Sequence, residues 1–206
     1  GGDFFSAAGS DDIVVAVLDA AGGHVWSRHF ATPLTELAPE IAFDATGNVF
    51  FAGTFARRLD LGGEPLLAAP TAIETGFVAS YDIAGAHRWS YMLSDSLRSG
   101  VWSLAVDEPG NCLVTAQKWE RLDLATPAIP PSRYLLLALD SNGQIGSAAG
   151  FGDRPPQPFG ISPVLVAAAA DVIFLAGSTD VPIDFGNGVL VPDMLDVFLA
   201  KLAIRR

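Results

Sequence analysis

Residues 41–53 read IAFDATGNVFFAG, two short apolar runs joined by Asp44-Ala45-Thr46-Gly47-Asn48. The pattern returns at 104–116 as LAVDEPGNCLVTA, and a third time, worn down, at 164–177. Each copy runs apolar for about four to six residues, turns on a glycine and runs apolar again, the pattern of a β-hairpin with a buried face. Trp26 and Trp89 stand 63 positions apart (89 − 26), and Asp19/Asp82, Asp44/Asp107 and Asp60/Asp123 share that spacing. A hairpin recurring at a fixed period restricts the chain to a repeat architecture, because no single unit of that size buries its own apolar face. The third copy is looser. Asp82 to Asp140 is 58 positions, Asp123 to Asp184 is 61, and the tryptophan position falls in the region of Gly146 and Ser147.

A second recurring strand is 13–19 (IVVAVLD), followed by 77–82 (FVASYD), 134–140 (YLLLALD) and 197–203 (VFLAKLA). The first three end in an aspartate with a glycine three residues on: Asp19/Gly22, Asp82/Gly85 and Asp140/Gly143. Such an aspartate accepts hydrogen bonds from turn amides while glycine takes the positive φ that closes the hairpin. Calcium binding would need several oxygen ligands packed close together, and these turns offer one carboxylate each. A Trp-containing strand comes next, HVWSRHF at 24–30 and HRWSYML at 87–93, and its indole is expected to pack between neighbouring sheets. One unit therefore holds four strands, expected at 41–44, 48–54, 77–82 and 87–92. The joins within the two hairpins are tight, whereas the second-to-third joins (about 55–76, 117–133 and 178–196) and fourth-to-first joins (about 31–40, 94–102 and 152–162) are long. In an antiparallel meander alternate connections emerge on the same side, so every long loop lands on one face. Function belongs on that face.

Composition narrows the classes. Half of the 206 residues are apolar and 17% are charged, and the 21 glycines and 14 prolines are spread along the chain, as suits many short strands joined by turns. A formal charge of −11, with the arginines scattered, excludes a nucleic-acid backbone as partner. The single cysteine, Cys112, stands where Val49 stands in the first copy and reads as a small buried hydrophobe. The longest apolar run, 164–177, contains Asp171, follows Pro163 and keeps the repeat register; it is a hairpin, with no membrane span. His24, His29 and His87 have no partners at metal-ligand spacing, so neither a metal site nor a cofactor is expected.

The pattern FVA-x-x-D-x-x-G-x-x-x-W-S, then A-x-D-x-x-G-N-V-x-x-A-G, then L-D-L-G-G resembles the bacterial β-propeller repeat named for seven-bladed propellers, found in large secreted or surface proteins. The resemblance is strong over 13–63 and 77–124 and weaker after Leu139. It implies an all-β fold, a β-propeller whose blades are four-stranded antiparallel sheets, and an extracellular or cell-envelope location; it brings no catalytic residues. On this reading residues 1–206 are one partial propeller, with repeats at roughly 12–75, 76–132 and 133–195 and a closing strand at 196–206. That is about three and a half blades, too few for a ring. The remainder is expected from missing N-terminal sequence or from a second chain. Gly1-Gly2 match Gly62-Gly63, a point well inside a unit, so the absence of a targeting segment says nothing about secretion.

No catalytic motif is present: there is no G-x-S-x-G elbow, H-E-x-x-H, P-loop or complete G-x-G-x-x-G. Glu36, Glu40, Asp95 and Arg98 read as solvated loop charges. Arginine and tryptophan on the long-loop side (Arg57, Arg58, Arg98, Trp102, Trp119, Arg121 and Arg154) are the types that anchor protein or glycan partners when exposed. Arg57, Arg98, Trp102 and Trp119 are the candidate binding residues. Two readings follow: a non-catalytic scaffold or binding module for a macromolecule or glycan, or an enzyme propeller, a lyase or hydrolase acting at a channel mouth.

Overall fold

In the computed structural model the described residues are 2–93, 98–118, 129, 132, 134–152, 164–169 and 172–203. Among them every regular element is a strand, so the all-β expectation holds. β1 (Ile13–Leu18) and β2 (His24–Phe30) form an antiparallel pair. β3 (Leu37–Phe43), β4 (Val49–Phe55), β7 (Thr75–Tyr81) and β8 (His87–Met92) form a four-stranded meander in that order. β9 (Ser99–Val106), β10 (Cys112–Lys118), β11 (Tyr134–Leu139) and β12 (Ile145–Phe151) repeat it. β13 (Leu165–Ala169), β14 (Val172–Thr179) and β17 (Asp196–Ala203) give a three-stranded sheet of the same sense. One folded sheet runs from 37 to 92, so it is out of phase by two strands with sequence units counted from 12, 76 and 133.

Two small ribbons sit in the second-to-third joins: β5 (Arg58–Leu59) with β6 (Leu66–Leu67), and β15 (Ile183–Asp184) with β16 (Val189–Leu190). The sequence predicts long loops over both stretches. Leu59 and Leu61 nevertheless go fully into the core, and Asp60 and Asp184 brace the turns by accepting from the amides of Gly62 (3.1 Å) and Gly186 (2.6 Å).

The sheets stack face to face. Phe51, Phe77 and Tyr81 meet Ile13, Trp26 and Phe30 in one core; Phe50, Val78 and Trp89 meet Leu104, Leu135 and Leu137 in the next; Leu113 and Leu136 meet Val166, Leu175 and Phe198 in the third. A sheet between two others is buried on both sides, which is why β4 and β7 read as continuous apolar runs. Strands of the two end sheets alternate instead: β1 runs buried, exposed, buried, exposed, and β17 does likewise over its middle. The first strands sit side by side at one edge, β9 touching both β3 and β13.

The hairpins close as the sequence predicts. Asp19 Oδ1 accepts from the Ala21 and Gly23 amides at 2.9 and 2.7 Å, Asp82 from Ala84 and Ala86 at 2.9 and 2.8 Å, and Asp140 from Asn142 and Gln144 at 2.8 and 2.9 Å. Gly22, Gly85 and Gly143 sit at φ of 83°, 80° and 78°, where a side chain would be strained.

Trp26 and Trp89 occupy equivalent buried positions, each latched onto the turn of the following sheet. The Trp26 indole donates to the Ile83 carbonyl at 3.1 Å and that of Trp89 to the Ser141 carbonyl at 3.0 Å. Arginines reinforce both contacts, Arg28 donating to Gly85 O (2.8 Å) and Arg88 to Ser141 O (3.2 Å).

Candidate functional site

Two of the long joins meet among the described residues. Residues 31–34, a fourth-to-first join, and residues 56–58, a second-to-third join, line a cleft of about 390 Å³, within the usual range of small-ligand sites. Its walls are Ala31, Pro33 and Leu34 facing Arg57 and Arg58.

Each wall has a local cause. Glu36 is fully buried, contrary to the expectation of a solvated loop charge. Its carboxylate accepts from the Thr32 amide (3.0 Å) and the Thr32 hydroxyl (2.5 Å), and its own amide donates to Asp11 O at 3.0 Å. A buried carboxylate tolerates loss of water only when such donors replace it. It thus pins the 32–36 loop, and Thr32 Oγ1 in turn accepts from the Leu34 amide at 3.1 Å.

The opposite wall is strained. Arg57 has φ of 65°, the one positive value outside glycine among the described residues, while the Arg58 amide donates back to Ala56 O at 2.9 Å. A hydrogen bond across two residues with a positive central φ is the rare, strained form of the γ-turn. The Arg57 carbonyl is engaged by the Ala68 amide at 2.8 Å, so the ribbon holds the turn in place. Arg57 is exposed, and its guanidinium has no partner among the described residues, whereas Arg58 pairs with Asp60 at 3.1 Å.

The other candidates lie apart from this cleft. Arg98 forms an ion pair with Glu74 at 3.4 Å, beside a backbone bridge between the same two residues. Trp102 belongs to β9, not to a loop: β9 begins at Ser99, and Trp102 is half-buried. Its position is irregular, because Ser103 pairs with Thr115 and Val101 with Ala116, leaving Trp102 as the extra residue of a bulge. A bulge re-aims the side chain it carries. Neither Arg98 nor Trp102 lines the cleft, and Trp119, Arg121 and Arg154 fall outside the described residues. The cleft residues missed in the sequence, Thr32 to Leu34, carried no signal beyond the Thr32/Glu36 spacing.

Cys112 is fully buried, and burial, with a smaller contribution from nearby Asp107, pushes its thiol pKa up. It is a core residue as the sequence indicates. The Tyr81 hydroxyl, its pKa also raised chiefly by burial, donates to Leu61 O beneath the ribbon that carries Arg57 and Arg58. No family model matches this sequence, and no curated protein matches it.

Proposed function

We propose that this chain is a non-catalytic binding module assembled from propeller-type blades, displayed outside the cell or in its envelope, and that it holds a carboxylate-bearing glycan in the cleft between residues 31–34 and 56–58. The observation that carries this reading is Arg57: an exposed guanidinium without a partner among the described residues, fixed beside a cleft by a backbone turn that costs stability. Strain of this kind amounts to about 1–3 kcal/mol and persists where a side chain must point in one direction. The planar fork of arginine matches a carboxylate through two parallel hydrogen bonds. Ala31, Pro33 and Leu34 offer an apolar wall for the hydrocarbon face of a sugar ring. Propeller architecture is supported by the repeated four-stranded meanders and their face-to-face packing.

Calorimetric titration with a galacturonate trimer and a neutral galactose trimer tests the proposal. The acidic trimer is expected to bind and to weaken with salt, and Arg57→Gln to raise Kd by about tenfold or more. Arg57→Gly suits the left-handed φ and is expected to stabilise the fold by about 1 kcal/mol while abolishing binding. Equal binding of the neutral trimer, or an unchanged Kd in Arg57→Gln, contradicts the reading.

A further inference from the structure

Both described contacts between a Trp-bearing strand and the next sheet are built alike. The indole of Trp26 lies under the Asp82–Gly85 turn so closely that a methyl group on Gly85 would stand 2.8 Å from it, and a methyl on Gly143 would stand 2.7 Å from Trp89. Below each turn, an apolar row of the receiving strand is buried against the preceding sheet. Phe77 and Tyr81 are 0% and 2% exposed, and their counterparts Leu135 and Leu139 are 3% and 0% exposed.

The first unit has the same parts, and no described residue fills them. The Asp19–Gly22 turn has the same carboxylate-to-amide hydrogen bonds and the same positive φ, yet a methyl on Gly22 would meet no atom within 4 Å. The corresponding row, Val14 and Leu18, is 54% and 58% exposed. We propose that the outer face of the β1–β2 pair, with the Asp19–Gly22 turn as its socket, is a docking surface for the Trp-bearing face of a further unit of this same repeat, supplied from outside these 206 residues.

The occupant is specified by continuity with the two filled contacts. Each places an indole under the glycine and a donor on the carbonyl after the aspartate, which is Ala20 O in the empty turn. Trp26 and Trp89 are already engaged within the chain. A second copy stacked head to tail would present β17, whose outward residues Val197 and Leu199 are exposed but carry no indole. Two hydrophobic faces would then meet without the latch. The inference stands on the internal repetition and not on the ligand assigned to the Arg57 cleft.

The test extends the chain with a second copy of residues 13–61 ahead of Gly1, so that Gly1-Gly2 follow Leu61 as Gly62-Gly63 do in the interior. Amide hydrogen exchange of residues 14–22 is compared in the original chain, the extended chain, and extended chains carrying either Trp26→Ala in the added copy or Gly22→Ala in the receiving turn. Protection of 14–22 is expected to rise by about tenfold or more in the extended chain and to fall back in both variants, with β7 and β10 unchanged throughout. Undiminished protection in the Trp26→Ala variant overturns the proposal, as does an extended chain that gains none. Concentration-dependent protection of 14–22 in the original chain also overturns it, by showing that a second copy covers the face.

Discussion

At the scale of single residues, Asp44 and the half-buried His87 make the fold sensitive to acid. Burial alone would raise the pKa of Asp44, but hydrogen bonds from Asn48 and Thr46, side chain and backbone, outweigh it and hold the pKa below the usual carboxylate value. In the unfolded chain the same group takes up a proton near pH ~3.9, so stability present above that value is lost as pH falls through it. His87 is shifted the other way for its charge type. Burial lowers its pKa, only partly offset by Asp60, and its Nε2 is buried without a hydrogen-bond partner. The unfolded state therefore protonates first, near pH ~6.5, and stability declines from there downward. Urea midpoints are expected to be flat above neutrality, to fall through the mildly acidic range and to fall again below about pH 4. Replacing His87 by Gln is expected to remove the first decline and leave the second; a midpoint independent of pH contradicts both assignments.

At the scale of elements, the Trp-bearing strands decide how sheets join. Trp89 is 8% exposed, stacks edge-on against Phe50 and latches the Ser141 carbonyl. Trp89→Ala is expected to cost about 3–5 kcal/mol through the cavity, and Trp89→Phe less, because the ring volume is largely kept while the indole donor is lost. Equal urea stability of Trp89→Ala and wild type would show that the latch does not hold the sheets. These strands were legible in the sequence because hydrophobic alternation, glycine turns and the tryptophan recurred at one spacing. The first strands were read too short: β3 starts at Leu37 and β9 at Ser99, each interrupted by an irregular pairing near Pro39 and Trp102 that breaks the alternation. The Arg57 turn was illegible for a different reason. Its positive φ is imposed by the ribbon closing behind it, and nothing in the local sequence Ala56-Arg57-Arg58 favours that conformation.

At the scale of the molecule, burial grades along the stack. Sheets in the interior are covered on both faces, the β1–β2 pair and the sheet ending in β17 on one, and the long-loop side gathers the cleft between 31–34 and 56–58. The sequence reading anticipated the face-to-face packing through the tryptophan strands, expected between neighbouring sheets, but β1 (IVVAVL) is apolar throughout and its sequence does not mark which face stays uncovered. It did not anticipate Glu36, because a charged residue in a loop reads as solvated until its donors are placed. Residue-resolved hydrogen exchange under native conditions tests the layered account most directly. Amides of β4, β7, β10 and β11, paired on both sides and buried on both faces, are expected to exchange slowest and together, with β1, β2 and β17 exchanging faster. Slowest exchange in β1 or β17, or uniform protection from 13 to 203, would contradict it.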